Sequence, residues 1–164
     1  MSVPRLREPA NLVSPRARVF WAARCGAGWL LLIAAQVALI VLLPPAHRGL
    51  QIALLVASVL LGAVHATVMP QWRFRVHRWE VTPTACYAQD GWITQRRRIA
   101  PLSRVQTVDT ERGPLEQLFR LASVTITTAS AAGPITIKGL DAAVAGRLVD
   151  ELTVVTASSS GDAT

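Results

Sequence analysis

Residues 27–69 read AGWLLLIAAQVALIVLLPPAHRGLQIALLVASVLLGAVHATVM, and this stretch decides the fold. It contains two apolar runs without a charged residue, 27–43 and 49–69, on either side of the break PPAHR. A helix rises about 1.5 Å per residue, so each run can cross, or nearly cross, a hydrocarbon core of about 30 Å. Lipid offers no partners to free backbone groups, so both runs are predicted to be helices. The break is too short for a domain and too rich in proline for a helix, which predicts an antiparallel membrane hairpin.

The alternative is a pair of buried helices in a soluble protein. Two uncharged runs of this length are hard to bury in a chain of 164 residues, so the membrane interpretation is favoured. The chain carries seventeen basic and ten acidic residues, a net charge of +7. Eight arginines flank one end of the hairpin, against Arg48 alone in its loop: Arg5, Arg7, Arg16, Arg18, Arg24, Arg73, Arg75 and Arg78. The positive-inside rule therefore predicts a two-pass protein with both termini in the cytoplasm.

Composition divides the chain into four segments. Residues 1–23 are rich in proline and arginine and are predicted to be an unstructured basic cytoplasmic leader. Residues 24–72 form the transmembrane hairpin, and residues 73–153 form one soluble domain of about 80 residues. Residues 154–164 are small and polar, with no reason to fold.

Within the hairpin, Ser58, Gly62 and Ala66 are spaced by four and therefore share one helix face. Small residues allow membrane helices to approach closely. Gln36 and Ser58 fall at similar depth in the two helices, so we expect a hydrogen bond between them. A polar residue inside a membrane can also mark an ion path, but no charged residue accompanies these two, which favours a packing role.

The soluble domain is predicted to be a meander of short strands. Asp90-Gly91 indicates a tight hairpin between strands 85–89 and 92–100, with Arg96 and Arg98 on one face of the second strand and Ile93 and Ile99 on the other. Further strands are predicted at 105–110, 123–128 and 135–137, and a short helix after Gly113. An amphipathic helix over 140–152 is the obvious cover for the sheet, which gives an α+β or barrel-like module.

A run of short motifs within residues 99–129 resembles a known family. These are PLSRVQ at 101–106, GPL at 113–115, LF at 118–119, LA at 121–122 and TTA at 127–129. In order and spacing, and with the preceding hairpin, they are similar to the bacterial pleckstrin-homology-like (PH-like), membrane-flanked domain family of YdbS type. The chain departs from that pattern at Arg120, where the family usually has glycine, the residue that most easily adopts a left-handed conformation at the end of a helix.

The resemblance implies a curved antiparallel sheet capped by a C-terminal helix, in a bacterial plasma-membrane protein without established enzymatic activity. It also implies a partner: a larger membrane protein that carries further copies of the domain. Some members are associated with resistance to membrane-active peptides, so envelope stress is the process that the resemblance suggests.

The residues themselves indicate little chemistry. Common nucleophile, phosphate-loop and zinc motifs are missing from the sequence, so we expect no enzyme, no metal and no cofactor. Arg96, Arg98 and Arg104 are the candidate binding residues, for an anionic lipid or an acidic partner, and the alternative is a solvated strand face. Aromatic residues do not interleave this basic run, which argues against nucleic acid.

Three functions remain open on these grounds. The first is a non-catalytic, membrane-anchored module that assembles with another membrane protein or binds the anionic inner leaflet. The second is a small oligomeric transport or pore component, and the uncharged hairpin argues against it unless the chain oligomerises. The third is a membrane-bound enzyme, for which the sequence offers no catalytic constellation.

Overall fold

The computed structural model describes residues 8–42, 44–129 and 133–161. A two-residue strand comes first; two long apolar helices, antiparallel strands and a C-terminal helix then follow in the predicted order. The elements in chain order are β1 Asn11–Leu12, α1 Arg16–Leu42, α2 Arg48–Val76, β2 Arg78–Val81, β3 Ala85–Asp90, β4 Arg96–Pro101, β5 Val105–Glu111, α3 Pro114–Leu118, β6 Leu121–Thr128, β7 Ile135–Asp141 and α4 Ala142–Gly161.

The hairpin helices are longer than the apolar runs that predict them. α1 has 27 residues and α2 has 29, and their most apolar 18-residue windows reach mean hydropathies of 2.3 and 2.2. Both are therefore long and apolar enough to cross a membrane. The added length lies at the domain end, where α1 begins at Arg16 and α2 continues to Val76. Each helix thus extends beyond the apolar run to meet the folded domain.

The prediction of an unstructured leader over 1–23 is wrong for the part that the structure describes. β1 pairs with β2, with Asn11 opposite Trp79, and α1 already begins at Arg16. Val13, between the two elements, is only 3% exposed. The segment folds because its few apolar side chains find a surface on the domain, which no local periodicity could indicate. Residues 1–7 lie outside the described residues.

The strands form two antiparallel sheets, in the orders β1-β2-β3-β4 and β5-β6-β7, and not a closed barrel. The core lies between these sheets and α4, and its main side chains are Cys86, Leu102, Val124, Ile126, Ile137, Leu148 and Leu152. The prediction that the C-terminal helix covers the sheets is confirmed, because Leu148 and Leu152 are 2% and 0% exposed.

The predicted end of that helix is wrong. α4 continues to Gly161, so residues 154–161 are helical and not an unstructured tail. This segment contains no proline, and its first glycine is Gly161 itself, so nothing in it stops the helix earlier. Residues 162–164 lie outside the described residues.

The connection between β3 and β4 also differs from the prediction. Asp90 pairs with Arg96, so residues 91–95 form a five-residue loop instead of a two-residue turn. Gly91 has φ +112°, and a Cβ atom there would lie 1.9 Å from the Thr94 carbonyl oxygen, so this compact loop requires glycine. Trp92 therefore lies in the loop rather than in a strand, and on β4 it is Ala100, not Ile99, that is buried.

Arg120 occupies a left-handed conformation, with φ +55°. It is the one non-glycine residue with positive φ among those that the structure describes. The chain therefore keeps the backbone shape that glycine would supply at this point, at a cost of about 1–2 kcal/mol.

Candidate functional site

The site is built where the domain meets the hairpin. The first turns of α1 pack on the domain through Ala17, Phe20 and Trp21, which are 0%, 8% and 4% exposed. Gly139 of β7 lies so close that a Cβ atom there would be 2.9 Å from that of Ala17. The Gly139 carbonyl also accepts a hydrogen bond of 2.9 Å from the amide of Ser14. These contacts fix the orientation of the domain on the hairpin.

Arg73, near the end of α2, is held by aromatic and imidazole groups. Its guanidinium lies 4.5 Å from the ring centroid of Trp21. Its Nε donates to Nε2 of His77 at 3.4 Å, and Nδ1 of His77 donates back to the Arg73 carbonyl at 2.8 Å. Burial and the nearby charge of Arg73 lower the pKa of His77 to about 4. The imidazole is therefore neutral at pH 7 and can accept the Arg73 hydrogen bond.

Two adjoining cavities open at this level. The first, of about 450 Å³, lies between α1 and α2 and is lined by Arg24, Gly28, Trp29, Leu32, Met69 and Arg73 among others. The second, of about 360 Å³, lies between the hairpin and the domain. Arg24 and Arg73 line both cavities, and Lys138 joins them in the second. Three cations thus converge where the interhelical cavity meets the domain.

The loop between β3 and β4 reaches the hairpin on α2. The ring of Trp92 stacks on His65, with 5.7 Å between centroids and 26° between planes. His65 also accepts a hydrogen bond of 3.1 Å from Trp29 Nε1. Since His65 lies within the apolar run 49–69, Trp92 lies at the depth where a membrane interface is expected, a common place for tryptophan.

The predicted helix-packing residues lie between α1 and α2. Gln36 Nε2 donates to Ser58 Oγ at 2.9 Å. Gly62 is buried, and a Cβ atom on it would lie 3.0 Å from the Trp29 indole. Ala66, one turn further along α2, is half-buried. Sequence reasoning did not identify Trp29, although its indole fills the space that Gly62 leaves.

The structure brings together two of the three predicted binding arginines. Arg98 and Arg104 line one groove of about 220 Å³ between the two sheets. Arg98 is half-buried, and its Nη1 donates to the carbonyl of Pro134. Arg96 is exposed, lies opposite Asp90 and does not line that groove. The three residues therefore do not form one continuous strand face.

In the sequence, Arg24 and Arg73 are recognisable only as topology signals, and Lys138 carries no functional signal. One feature of the sequence could have indicated that Arg24 and Arg73 lie close together. Both are at the domain end of two antiparallel helices, which places them at the same depth relative to the membrane. Lys138 lies near them because β7 packs against the first turns of α1, and no local sequence pattern predicts that contact. Among the described residues, no cluster of three or more His, Cys, Asp and Glu side chains could hold a metal ion. Burial raises the pKa of the Cys86 thiol to about 12, so it is not a reactive group.

Comparison with known proteins gives one family and one relative. The family described as the bacterial PH domain matches residues 26–154, which include most of the hairpin and most of the domain. The transmembrane protein YdbS of Bacillus subtilis (strain 168) is 37% identical over 94 residues. That match covers 57% of this chain and 58% of the relative, less than two thirds of the relative's length. No solved structure matches the chain.

Proposed function

We propose that this chain, which belongs to the bacterial PH domain family, is a non-catalytic anchor that presents its PH-like domain to another membrane protein. The chain is a membrane-associated bacterial PH-domain protein of YdbS type. We further propose that both termini lie in the cytoplasm of a bacterium and that the hairpin lies in the plasma membrane. A role in envelope stress or in resistance to membrane-active peptides is part of the same proposal.

The observation that carries the proposal is the close packing of the domain on the hairpin. Ala17 and Trp21 are buried against β7, and Arg16 forms an ion pair of 2.8 Å with Asp141. A domain that binds a freely diffusing ligand needs no fixed direction relative to the membrane. A partner in the same bilayer has already lost part of its translational and rotational entropy. A domain with a fixed orientation loses less of this entropy when it binds that partner.

The groove lined by Arg98 and Arg104 is the proposed contact surface. Arg104 is exposed, and the Arg98 guanidinium is held in place by its bond to Pro134. A guanidinium that is already ordered loses little conformational entropy when it pairs with a carboxylate, and it can do so with two hydrogen bonds. An acidic segment of a neighbouring membrane protein fits this chemistry.

The test is site-specific photo-crosslinking of the full chain in membranes of a host that contains its natural partners. A photoreactive residue at position 104 should capture one defined membrane protein, and the same residue at Arg147, exposed on α4, should not. The yield at position 104 should fall in Arg98→Ser, which removes a guanidinium that lines the groove. The matched change Arg75→Ser removes the same charge from an exposed position on α2 and should leave the yield unchanged. Equal capture at both positions, or equal loss in both variants, would refute the proposal.

Binding to the anionic inner leaflet is a second candidate, favoured by the position of Trp92. Its stacking on His65 puts the β3–β4 loop beside the apolar part of α2. Ile93 at the same loop is 78% exposed and carries no polar group that would oppose contact with lipid. In nanodiscs, Ile93→Asp should then increase hydrogen exchange in residues 91–95, and equal exchange would exclude contact of this loop with lipid.

The pore alternative has less support. The one long polar side chain of the first apolar run, Gln36, bonds within the hairpin to Ser58. Neither apolar run contains a charged residue that could line an ion path.

A further inference from the structure

The cavity between α1 and α2 is an open groove with a mostly apolar lining and a cationic rim. Gly28, Leu32 and Met69 lie along its interior, and Arg24 and Arg73 lie at the domain end. Eight residues separate Arg24 from Leu32 on α1, so the cavity extends along the helix for about 12 Å at about 1.5 Å per residue. A phospholipid has the same order of parts, with an anionic phosphate above an acyl chain.

The cations at this rim are available to an external anion. Among the residues that the structure describes, Arg24, Arg73 and Lys138 form no ion pair. Arg73 makes one side-chain hydrogen bond within that set, from Nε to His77, so both of its terminal nitrogens remain for a ligand. Stacking on Trp21 and the bond to His77 hold the guanidinium in place. An ordered guanidinium is well suited to bind phosphate through two hydrogen bonds.

Carboxylates lie beside the second cavity but are absent from the lining of the first. Glu111 and Glu116 line the second cavity, where the two oxygens of Glu116 accept hydrogen bonds of 2.9 Å from the Gly113 amide and the Ser123 hydroxyl. Asp90 is near enough to attract Arg73 without forming an ion pair with it. The cavity between the helices is therefore lined by Arg24 and Arg73 and by no carboxylate among the described residues.

We propose that Arg24, Arg73 and Lys138 bind the phosphodiester of an anionic phospholipid, and that one acyl chain of this lipid occupies the cavity between α1 and α2. Basic pockets between membrane helices are a known way to bind anionic headgroups. The apolar cavity below the cations selects a lipid over a soluble phosphate, because a soluble phosphate would leave that surface empty. The inference requires the hairpin to lie in a bilayer but requires no protein partner, so it can fail or hold independently of the proposed assembly.

The headgroup is tested with the full chain in mild detergent micelles, by quenching of tryptophan fluorescence with brominated phosphatidylglycerol or brominated phosphatidylcholine. Trp21 and Trp29 both line the cavity, so a brominated chain bound there quenches their emission. Arg24→Ser with Lys138→Ser replaces two exposed cations. It should weaken phosphatidylglycerol binding about thirtyfold, since each basic residue near an anionic lipid contributes about fivefold. Arg75→Ser with Arg147→Ser removes the same net charge elsewhere and should retain the affinity.

The acyl chain is tested by filling the cavity. Gly28 lines it, and a Cβ atom on Gly28 meets nothing within 4 Å, so Gly28→Leu places a side chain there without a clash at the backbone. This variant should lose phosphatidylglycerol binding although all three cations remain. Gly26 is equally open but is not part of the cavity lining, so Gly26→Leu is the matched control and should bind as the parent does.

Three results would overturn the inference. Unchanged affinity in Arg24→Ser with Lys138→Ser would show that the cations do not bind the headgroup. Unchanged affinity in Gly28→Leu would show that the cavity does not hold the chain. Competition by 10 mM inorganic phosphate, with equal affinity for phosphatidylglycerol and phosphatidylcholine, would assign the rim to a soluble anion instead.

Discussion

Replacing Gly139 by alanine should loosen the domain from the hairpin. Gly139 has φ +78°, and its missing side chain faces α1. An added Cβ atom would lie 2.9 Å from the Cβ of Ala17 and 3.3 Å from Cζ2 of Trp21. Ala17 is 0% exposed, so it has no free space into which it could retreat. The substitution therefore acts on the docking contact itself.

The loss of stability in Gly139→Ala has two contributions, and a second variant separates them. A left-handed conformation costs alanine about 1–2 kcal/mol. Overpacking a buried contact adds about 1–3 kcal/mol. Gly133 has φ +77°, but a Cβ atom there meets nothing within 4 Å, so Gly133→Ala carries only the first part. The difference between the two variants measures the contact with α1.

The assay is hydrogen exchange of the full chain, read over residues 13–21. The Ser14 amide donates to the Gly139 carbonyl, so its protection reports directly on docking. A loss of about 2 kcal/mol would speed exchange there about thirtyfold. Adding Ala17→Gly to Gly139→Ala should restore part of the protection, because it removes the atom that the new Cβ meets. Equal exchange in Gly139→Ala and Gly133→Ala, or no recovery in the double variant, would refute the reasoning.

Three further predictions concern the hairpin and its junction with the domain. Gly62→Leu should destabilise the hairpin in mild detergent, because its side chain meets the indole of α1, whereas Val59→Leu on the exposed face should not; equal thermal stability would exclude this face as the contact. In a background without native cysteines, a cysteine at Ala46 should label with an impermeant reagent in intact cells and one at Ser160 should not, and the reverse pattern would invert the proposed topology. The folded state lowers the pKa of His77 from 6.5 to about 4, so the unfolded chain binds the proton first and the free energy of unfolding should fall as pH drops from 6.5 towards 4; a profile that His77→Gln leaves unchanged would contradict this.

The hairpin and the covering helix could be predicted because each is encoded by a continuous local pattern. The runs 27–43 and 49–69 need only be apolar and long, and the stripe of Leu148 and Leu152 needs only helical spacing. The family motifs add the identity of the domain. In each case the deciding information lies within one continuous stretch of the sequence.

What could not be predicted depends on contacts between distant segments. Val13 is buried because it packs with the first turns of α1 and with Leu121 of β6, and a short segment rich in proline and arginine shows no periodicity of its own. The Asp90-Gly91 pair is a strong two-residue turn signal, yet the loop is longer. Trp92 then stacks on His65 of α2, a contact that no spacing rule includes.

The arginines at the domain end of the hairpin have different structural roles, although they contribute equally to the net charge. The positive-inside rule counts each of them equally. In the structure, Arg16 pairs with Asp141 at 2.8 Å, Arg18 lies 4.7 Å from the ring centroid of Phe74, and Arg73 stacks on Trp21. These three are engaged in holding α1, α2 and the domain together, whereas the exposed Arg24 faces the two cavities without an ion-pair partner among the described residues. Moving Arg24 by one turn along α1 would leave the predicted topology unchanged, because the positive-inside rule counts only charge. The same move would remove its guanidinium from the proposed headgroup site, so lipid binding depends on the position of Arg24 as well as on its charge.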